Sequence, residues 1–216
     1  MQPPSYFDQS AATWDDNPAR IALMKAVGSA ILREARPTKA TDVLDYGCGT
    51  GLVSLFLLPH VRSVTGADSS EGMLDVLRRK IQGSGIQTMK TVRLDLERDP
   101  LPDDRYHLIV ASMVLHHTAN TARVLSAFHG LLHPGGMLCI ADLDSEPGLF
   151  HDARAAGSVH HHGFDRGELR SQLQQIGFSP ITDATAHIVH KPVEGGGERD
   201  FPVFLMAARV HRDHTA

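Results

Sequence analysis

The stretch that decides the fold is residues 45–51, Asp-Tyr-Gly-Cys-Gly-Thr-Gly, which directly follows the apolar pair Val43-Leu44. Glycines at alternate positions remove the Cβ atoms where a strand should end, so the backbone can turn sharply and approach a bound molecule closely. Around this loop, short β-rich segments alternate with stretches of helical spacing, a pattern typical of a parallel sheet with helices on both faces. Ligands of such sheets bind beyond the carboxyl ends of the strands, where the strand order reverses.

The periodicity of the apolar residues predicts seven strands and four main helices. The strands are predicted at 41–46, 63–67, 89–94, 107–114, 137–143, 181–189 and 201–210, and the helices at 18–35, 72–81, 121–132 and 165–177. Residues 144–163 fit neither period. Because a loop of that length inside a compact domain is usually functional or disordered, we expect it to form a lid.

The composition is that of one globular domain. The chain has 216 residues, of which 42% are apolar and 21% charged. Its net charge is −4 and it has no lysine/arginine run, which argues against a nucleic-acid partner or a membrane partner. It shows neither a membrane-spanning apolar run nor a signal-peptide layout at its start, so we expect a cytoplasmic protein. Two cysteines, Cys48 and Cys139, are too few for a disulfide framework or a thiolate metal cluster.

Two classes of nucleotide-containing ligand compete for the glycine loop. A dinucleotide fingerprint needs a third small residue, but Leu52 stands at that position. The Asp45 carboxylate would also repel a pyrophosphate, whereas it suits a ligand that carries a sulfonium or ammonium charge. A dinucleotide-dependent oxidoreductase is therefore the less favoured alternative.

The 45–51 loop resembles motif I of the class I S-adenosylmethionine-dependent methyltransferases. Residues 64–70 resemble the end of that family's second strand, and 131–138 resemble the turn before its fifth strand. The resemblance implies an α/β, doubly wound, mostly parallel seven-stranded sheet, with S-adenosylmethionine as cofactor and S-adenosylhomocysteine as product. The cofactor-binding residues that it implies are Asp45, Gly47, Cys48, Gly49, Asp68, Ser69, Met73, Asp95, Leu96 and Ser112.

The resemblance implies transfer of a methyl group to an acceptor, and the sequence favours a small molecule that accepts it on O, N or S. Residues 111–114, Ala-Ser-Met-Val, differ from the Asn/Asp-Pro-Pro-Tyr motif of nucleic-acid and protein amino-methyltransferases. The alternative is a catalytically idle subunit that binds the cofactor and regulates a partner. We expect a monomer or a homodimer.

Histidines supply the candidates for chemistry at the acceptor. The chain has 14, and those expected near the acceptor are His116, His117, His151, His160, His161 and His162. We predict His117 and His161 as catalytic bases because a neutral imidazole accepts a proton near pH 7. The alternative is that such histidines only tie loops together. The predicted acceptor-site residues are Tyr6, Trp14, His116, His160, His162 and Phe164.

Some of these histidines could instead bind a metal ion. His160 and His162 could bind a metal together with Asp142 and Asp144, because histidine with carboxylate suits zinc or iron. The spacing matches no known metal motif, so we expect no metal.

The chain is predicted to be a single domain, 1–216, built from four segments. Residues 1–36 form an N-terminal cap and the first helix, and 41–143 form the cofactor-binding core. Residues 144–164 form the lid-like insertion, and 165–210 the last helix and the C-terminal strands. The aromatic residues of the N-terminal segment either wall the acceptor site or only pin the first helix to the sheet; they are Tyr6, Phe7 and Trp14.

Overall fold

The computed structural model describes residues 5–152, 154–193 and 196–211. The strands are β1 Asp42–Tyr46, β2 Ser63–Asp68, β3 Met89–Arg93, β4 Tyr106–Ser112, β5 Leu132–Leu143, β6 Phe178–Pro192 and β7 Glu198–Val210. The helices are α1 Tyr6–Ser10, α2 Pro18–Ala35, α3 Leu52–Leu57, α4 Glu71–Gly83, α5 Thr121–Leu131 and α6 Arg166–Ile176. Short 3-10 segments cover Ala11–Asp16, Leu58–His60, Leu115–His117 and Ala156–Ser158.

The seven strands form one sheet in the order β3-β2-β1-β4-β5-β7-β6. Strands β1 to β5 pair in parallel, and β7 runs antiparallel to both of its neighbours. The order reverses between β1 and β4, so the glycine loop after β1 leaves the sheet at this reversal point. The predicted doubly wound α/β fold is confirmed.

Two apolar layers hold the sheet between its helices. One face packs against α2, α3 and α4, and the other against α5 and α6. Strand β4 is buried on both faces, with Leu108 and Val110 in the first layer and Ile109 and Ala111 in the second. Such a strand reads as a continuous apolar run because both faces exclude water.

Local signals set the ends of the helices. The Asn17 side chain accepts hydrogen bonds from the amides of Ala19 and Arg20, and Pro18 takes the first turn of α2. The predicted bounds of this helix, 18–35, are the observed ones. Later in the chain, Gly177 closes α6 with a φ of 111°.

The observed elements differ from the predicted ones in two places. The helix predicted to reach 132 ends at Leu131, because Leu132 pairs with Tyr106 and so begins β5. Helix α3, which directly follows the glycine loop, was not predicted, since its six residues Leu-Val-Ser-Leu-Phe-Leu are almost all apolar and show no helical period.

The described residues of the 144–163 stretch, 144–152 and 154–163, contact the turn that follows β4. The backbone amides of His160 and His161 donate to the carbonyl of His116, at 2.9 and 3.1 Å. Asp144 and Phe164 bridge the two ends of the segment. The division of the chain into four segments stays a prediction, and its bounds at 1 and 216 lie outside the described residues. None of the described helices is long and apolar enough to cross a membrane.

Candidate cofactor and acceptor site

A cavity of about 480 Å³ opens at the reversal point of the sheet. Its floor is made by the residues that end β1, β2 and β4, and one wall by the N-terminal segment. Histidines and residues of the 144–163 segment form the opposite end. A cavity of this size with polar groups at both ends fits a nucleotide-sized ligand beside a second, smaller molecule.

The glycine loop forms one edge of this cavity. Gly47, Gly49 and Gly51 have φ values of 69°, 54° and 85°, a left-handed conformation that strains any residue with a Cβ. A Cβ on Gly47 would lie 2.3 Å from Val114, so this glycine also permits close packing. A Cβ on Gly49 would meet nothing nearer than 3.9 Å, at Trp14 Nε1, and the cavity lies beside it. Gly49 therefore leaves its backbone open to a ligand.

The Asp68 carboxylate joins the end of β2 to the glycine loop. Its Oδ2 accepts a hydrogen bond from the Gly49 amide at 2.8 Å, and its Oδ1 accepts one from the Ser70 amide at 2.8 Å. Burial raises the pKa of Asp68, against these amide bonds, which lower it. A carboxylate held in this place can accept hydrogen bonds from a pair of hydroxyl groups.

Asp45 lies at the end of β1 and its side chain is almost fully buried. Its Oδ2 accepts a hydrogen bond of 2.5 Å from the Ser54 hydroxyl. Burial raises the pKa of Asp45 to about 7, although the bond from Ser54 lowers it, and the nearby charge of Asp68 adds to the rise. A carboxyl near its midpoint of titration at neutral pH favours a ligand with positive charge.

The remaining predicted cofactor residues divide into two groups. The cavity is lined by Cys48, Ser69, Met73, Asp95 and Ser112. The side chain of Leu96 is not part of the lining: it is buried in the layer below α5, and its amide donates to the Tyr46 hydroxyl at 3.1 Å. Leu94, two positions earlier, lines the cavity.

The N-terminal segment is anchored over the cavity by two aspartates. Asp8 accepts hydrogen bonds from the Ser70 hydroxyl at 2.6 Å and from the Gly72 amide at 3.0 Å. Asp15 accepts one from the Thr50 hydroxyl at 2.6 Å. These bonds connect the cap to the first turn of α4 and to the glycine loop, and they place three aromatic residues in the cavity wall. These are Tyr6, Phe7 and Trp14.

Three histidines meet at the far end of the cavity. The ring centroids of His116 and His117 are 4.0 Å apart, and that of His151 lies 4.9 and 5.2 Å from these two rings. His116 Nδ1 contacts Asp142 Oδ1 at 2.6 Å, with both side chains buried. His117 Nδ1 donates to the carbonyl of Ser158 at 2.7 Å. We call His116, His117 and His151 the histidine cluster.

Burial controls the charge of two members of the cluster. It lowers the pKa of His117 to about 3, with repulsion from His116 as the next cause, and it lowers that of His151 to about 4. Asp142 has a lowered pKa although burial alone would raise it, because the adjacent His116 ring and the hydrogen bond from the Leu143 amide stabilise its charge. At neutral pH the rings of His117 and His151 are therefore uncharged, and they lie near the buried carboxylate of Asp142.

The structure does not bring the other predicted histidines into the cavity lining. His161 Nε2 donates to the Thr118 carbonyl at 3.0 Å, so its ring ties two loops together. The side chain of His162 is 62% exposed and lies 3.7 Å from Glu146. His160 and Phe164 also lie outside the residues that line the cavity.

The four residues considered as a metal site from the sequence do not come together in the structure. They are His160, His162, Asp142 and Asp144. Asp144 pairs with Arg166 at 2.6 Å, and the Asp142 carboxylate contacts His116 instead of His160 or His162.

For two residues that line the cavity, His151 and Phe7, the sequence indicates a position near the acceptor but no specific role. His151 belongs to the segment without periodicity, so its contact with His116 could not be derived from spacing. Phe7 was predicted with Tyr6 and Trp14 either to wall the acceptor site or to pin the first helix. Its ring centroid lies 5.8 Å from that of Trp14 and 4.9 Å from that of His117.

Comparison with known proteins agrees with this geometry. A family model described as a methyltransferase domain matches residues 43–136. An uncharacterised methyltransferase of Schizosaccharomyces pombe is 27% identical, over 74% of this chain and 72% of its own length. A ubiquinone biosynthesis O-methyltransferase of Dinoroseobacter shibae is 27% identical, over 69% of this chain and 64% of its own length. The chain spans less than two thirds of the length of most of the curated relatives it matches.

The solved structures agree on the fold. An S-adenosylmethionine-dependent methyltransferase from Aquifex aeolicus aligns with a TM-score of 0.69 at 19% identity, over 94% of this chain and 98% of that one. The fold is therefore that of the class I S-adenosylmethionine-dependent methyltransferases, and residues 43–136 match a methyltransferase domain.

Proposed function

We propose that this chain transfers the methyl group of S-adenosylmethionine to a small-molecule acceptor that binds at the histidine end of the cavity. The observation that carries the proposal is the continuity of one cavity from Asp68 and the glycine loop to the histidine cluster. The two ends differ in chemistry, one suited to a nucleoside and the other to a second molecule. A relative named for O-methylation in ubiquinone biosynthesis supports a small acceptor.

Most of the predicted cofactor residues have a role that their geometry supports. Asp68 would accept hydrogen bonds from the ribose hydroxyls, and the open backbone at Gly49 would lie against the nucleoside. Asp95 would accept a hydrogen bond from the adenine amino group, and the buried Met73 would pack against the ring. Asp45 supplies negative charge near the cationic methionine part. The lining is completed by Cys48, Ser69 and Ser112.

Transfer requires alignment above all. The acceptor atom attacks the methyl carbon in line with the C–S bond, and the sulfur keeps the electron pair, so correct placement alone lowers the barrier considerably. Phe7 and Trp14 line the cavity and would help to exclude water from it, as a group-transfer site requires. His117, whose Nε2 is the nitrogen left without a proton, lines the acceptor end of the cavity. Because its pKa is about 3, it is a weak proton acceptor, and we assign it to positioning.

Transfer of isotopically labelled methyl from S-adenosylmethionine to a metabolite library tests this proposal. We expect one acceptor or one chemical family to gain the label and to increase in mass by one methyl group. At a cofactor concentration below saturation, Asp68→Ala should lower the transfer by about tenfold or more, and Asp75→Ala, a change at an exposed position of α4, should leave it intact. If the wild-type chain binds the cofactor but labels no acceptor, the idle-subunit alternative replaces the proposal.

A further inference from the structure

We propose that the histidine cluster is a metal site, in which His116, His117 and His151 bind a zinc ion at the acceptor end of the cavity. One ring nitrogen of each of the three lies within 4.8 Å of one ring nitrogen of the other two. Among residues 5–152, 154–193 and 196–211, this is the one group of three histidine, cysteine or acidic side chains close enough to hold an ion. For the ion's role the inference rests on the proposed function; for its binding it does not.

The orientation of two of the rings is the first argument. His116 directs Nδ1 at Asp142, and His117 directs Nδ1 at the carbonyl of Ser158. Histidines that bind metals usually donate their other ring N–H to a carboxylate or to a backbone carbonyl, which fixes the tautomer and leaves the lone pair on the far nitrogen. Both kinds of partner are present here, one for each ring.

The surroundings of Asp142 supply the second argument. Its carboxylate is buried and accepts hydrogen bonds from the backbone amides of Leu115 and Leu143, at 3.0 and 2.8 Å, as well as from the His116 ring. The hydrogen bonds fix both the carboxylate and the ring. A buried negative charge behind three imidazole ligands favours a cation in front of them. Asp142 is thus a positioning residue for the ion.

The ligand set indicates which ion fits. Imidazole ligands suit zinc, copper, iron and nickel rather than magnesium or calcium. Three protein ligands with an open position are typical of catalytic zinc sites, whereas structural sites have four. Tetrahedral zinc would hold the nitrogens about 3.3 Å apart, within the 4.8 Å that encloses them here. His151, whose ring centroid is the most distant of the three, lies on the 144–163 segment, outside the helices and strands, so its ring would move inward on binding.

The open position gives the ion a role in transfer. All three histidines line the cavity, so a fourth ligand would come from the acceptor. A hydroxyl bound to zinc loses its proton to solvent more readily, because the ion stabilises the alkoxide. The oxygen then forms its bond to the methyl carbon while the C–S bond breaks and the sulfur keeps the electron pair. Proton removal in this scheme needs no side-chain base.

Metal binding can be measured without activity. The full chain is stripped with a chelator, and zinc affinity is determined by competition with a chromogenic indicator, while elemental analysis counts the ion in untreated protein. We expect one zinc per chain. His151→Ala should weaken binding by about tenfold or more, and Asp142→Asn, which keeps the shape of the side chain, should weaken it by about 10–100-fold. His60→Ala, at an exposed position before β2, is the matched control.

A cobalt-substituted sample adds a spectroscopic check, since a four-coordinate Co²⁺ ion gives intense visible absorption that His151→Ala should remove. Equal zinc affinity in the wild type and His151→Ala, both folded by circular dichroism, would overturn the metal site. Methyl transfer at full rate by the stripped protein would overturn the ion's role and leave the proposed function standing. Tight zinc binding without cofactor binding would overturn the proposed function and leave the metal site.

Discussion

The Gly49 amide lies 2.8 Å from Asp68 Oδ2 and donates a hydrogen bond to it. The bond connects the loop after β1 to the end of β2, so the two elements that would hold the nucleoside form one unit. Gly47 and Cys48 strengthen the connection, because their amides donate to the Ala67 carbonyl at 2.8 and 3.0 Å. The ligand therefore meets a loop that the sheet has already positioned.

Two glycine substitutions separate packing from ligand contact. Gly47→Ala places a Cβ 2.3 Å from Val114 at a positive φ, so we expect the free energy of unfolding to fall by about 2–5 kcal/mol. Gly49→Ala has the same backbone strain but open space, so it should lose only about 1–2 kcal/mol. Urea denaturation measures both values.

Calorimetry completes this comparison. Gly49→Ala should lose most of its affinity for S-adenosylmethionine, because the new methyl group enters the cavity beside the nucleoside. Cofactor affinity equal to wild type in folded Gly49→Ala protein would show that the ligand does not approach this backbone.

Asp45 makes stability depend on pH. Its pKa is raised from 3.8 to about 7 in the folded protein, so the folded state holds a proton that the unfolded state releases. The resulting stability is fully present below pH 3.8 and is lost as the pH rises through about 7. The Asp45→Asn variant does not lose stability in this way as the pH rises, because its side chain has no proton to release. We expect the variant to gain stability relative to wild type by roughly 3 kcal/mol between about pH 5 and pH 8, measured by urea denaturation. A difference that stays constant with pH would contradict the raised pKa.

Cofactor affinity should change in the opposite direction for the same variant. Asp45→Asn has no carboxylate to offer the cationic cofactor, so its affinity should fall at about pH 8, where the wild-type carboxyl is ionised. Affinity for S-adenosylhomocysteine, whose sulfur carries no charge, should fall less. Equal losses for the two ligands would mean that Asp45 does not act through the sulfonium charge.

Much of the fold followed from local signals. The bounds of α2 could be predicted because Asn17 and Pro18 act within one turn, and the β1 loop because its glycines lie close together in sequence. The start of β5 could not, since it depends on pairing between Leu132 and Tyr106, a contact that no local pattern carries.

The candidate site also contains residues that local sequence signals could locate and residues that they could not. The predicted cofactor residues that line the cavity lie in or just after strands or in the first turn of α4, where sequence position determines location. The histidine cluster joins the turn after β4 to a segment without periodicity, so the approach of His151 to His116 depends on tertiary packing. His161 was predicted beside His117 as a second base, but its ring is engaged with the Thr118 carbonyl.

The cap can be followed through the single tryptophan of the chain, Trp14, which lies in the cavity wall. Cofactor binding should change its fluorescence. Asp8→Ala removes the acceptor for Ser70 and Gly72 and should weaken cofactor affinity about tenfold, which corresponds to about 1.4 kcal/mol. Asp16→Ala, an exposed change in the same segment, is the control. Equal affinities in the two variants would show that docking of the cap does not support the cofactor.

Calorimetric titration of the wild type, Asp68→Ala and Asp75→Ala with S-adenosylmethionine and with NAD tests the central claim most directly. We predict one cofactor site in the wild type and in Asp75→Ala, and no binding of NAD. Asp68→Ala should lose about tenfold or more in S-adenosylmethionine affinity, because the charged acceptor for the ribose hydroxyls is removed. Binding of S-adenosylmethionine that is indifferent to Asp68→Ala, or a preference for NAD, would contradict the placement of the cofactor in this cavity.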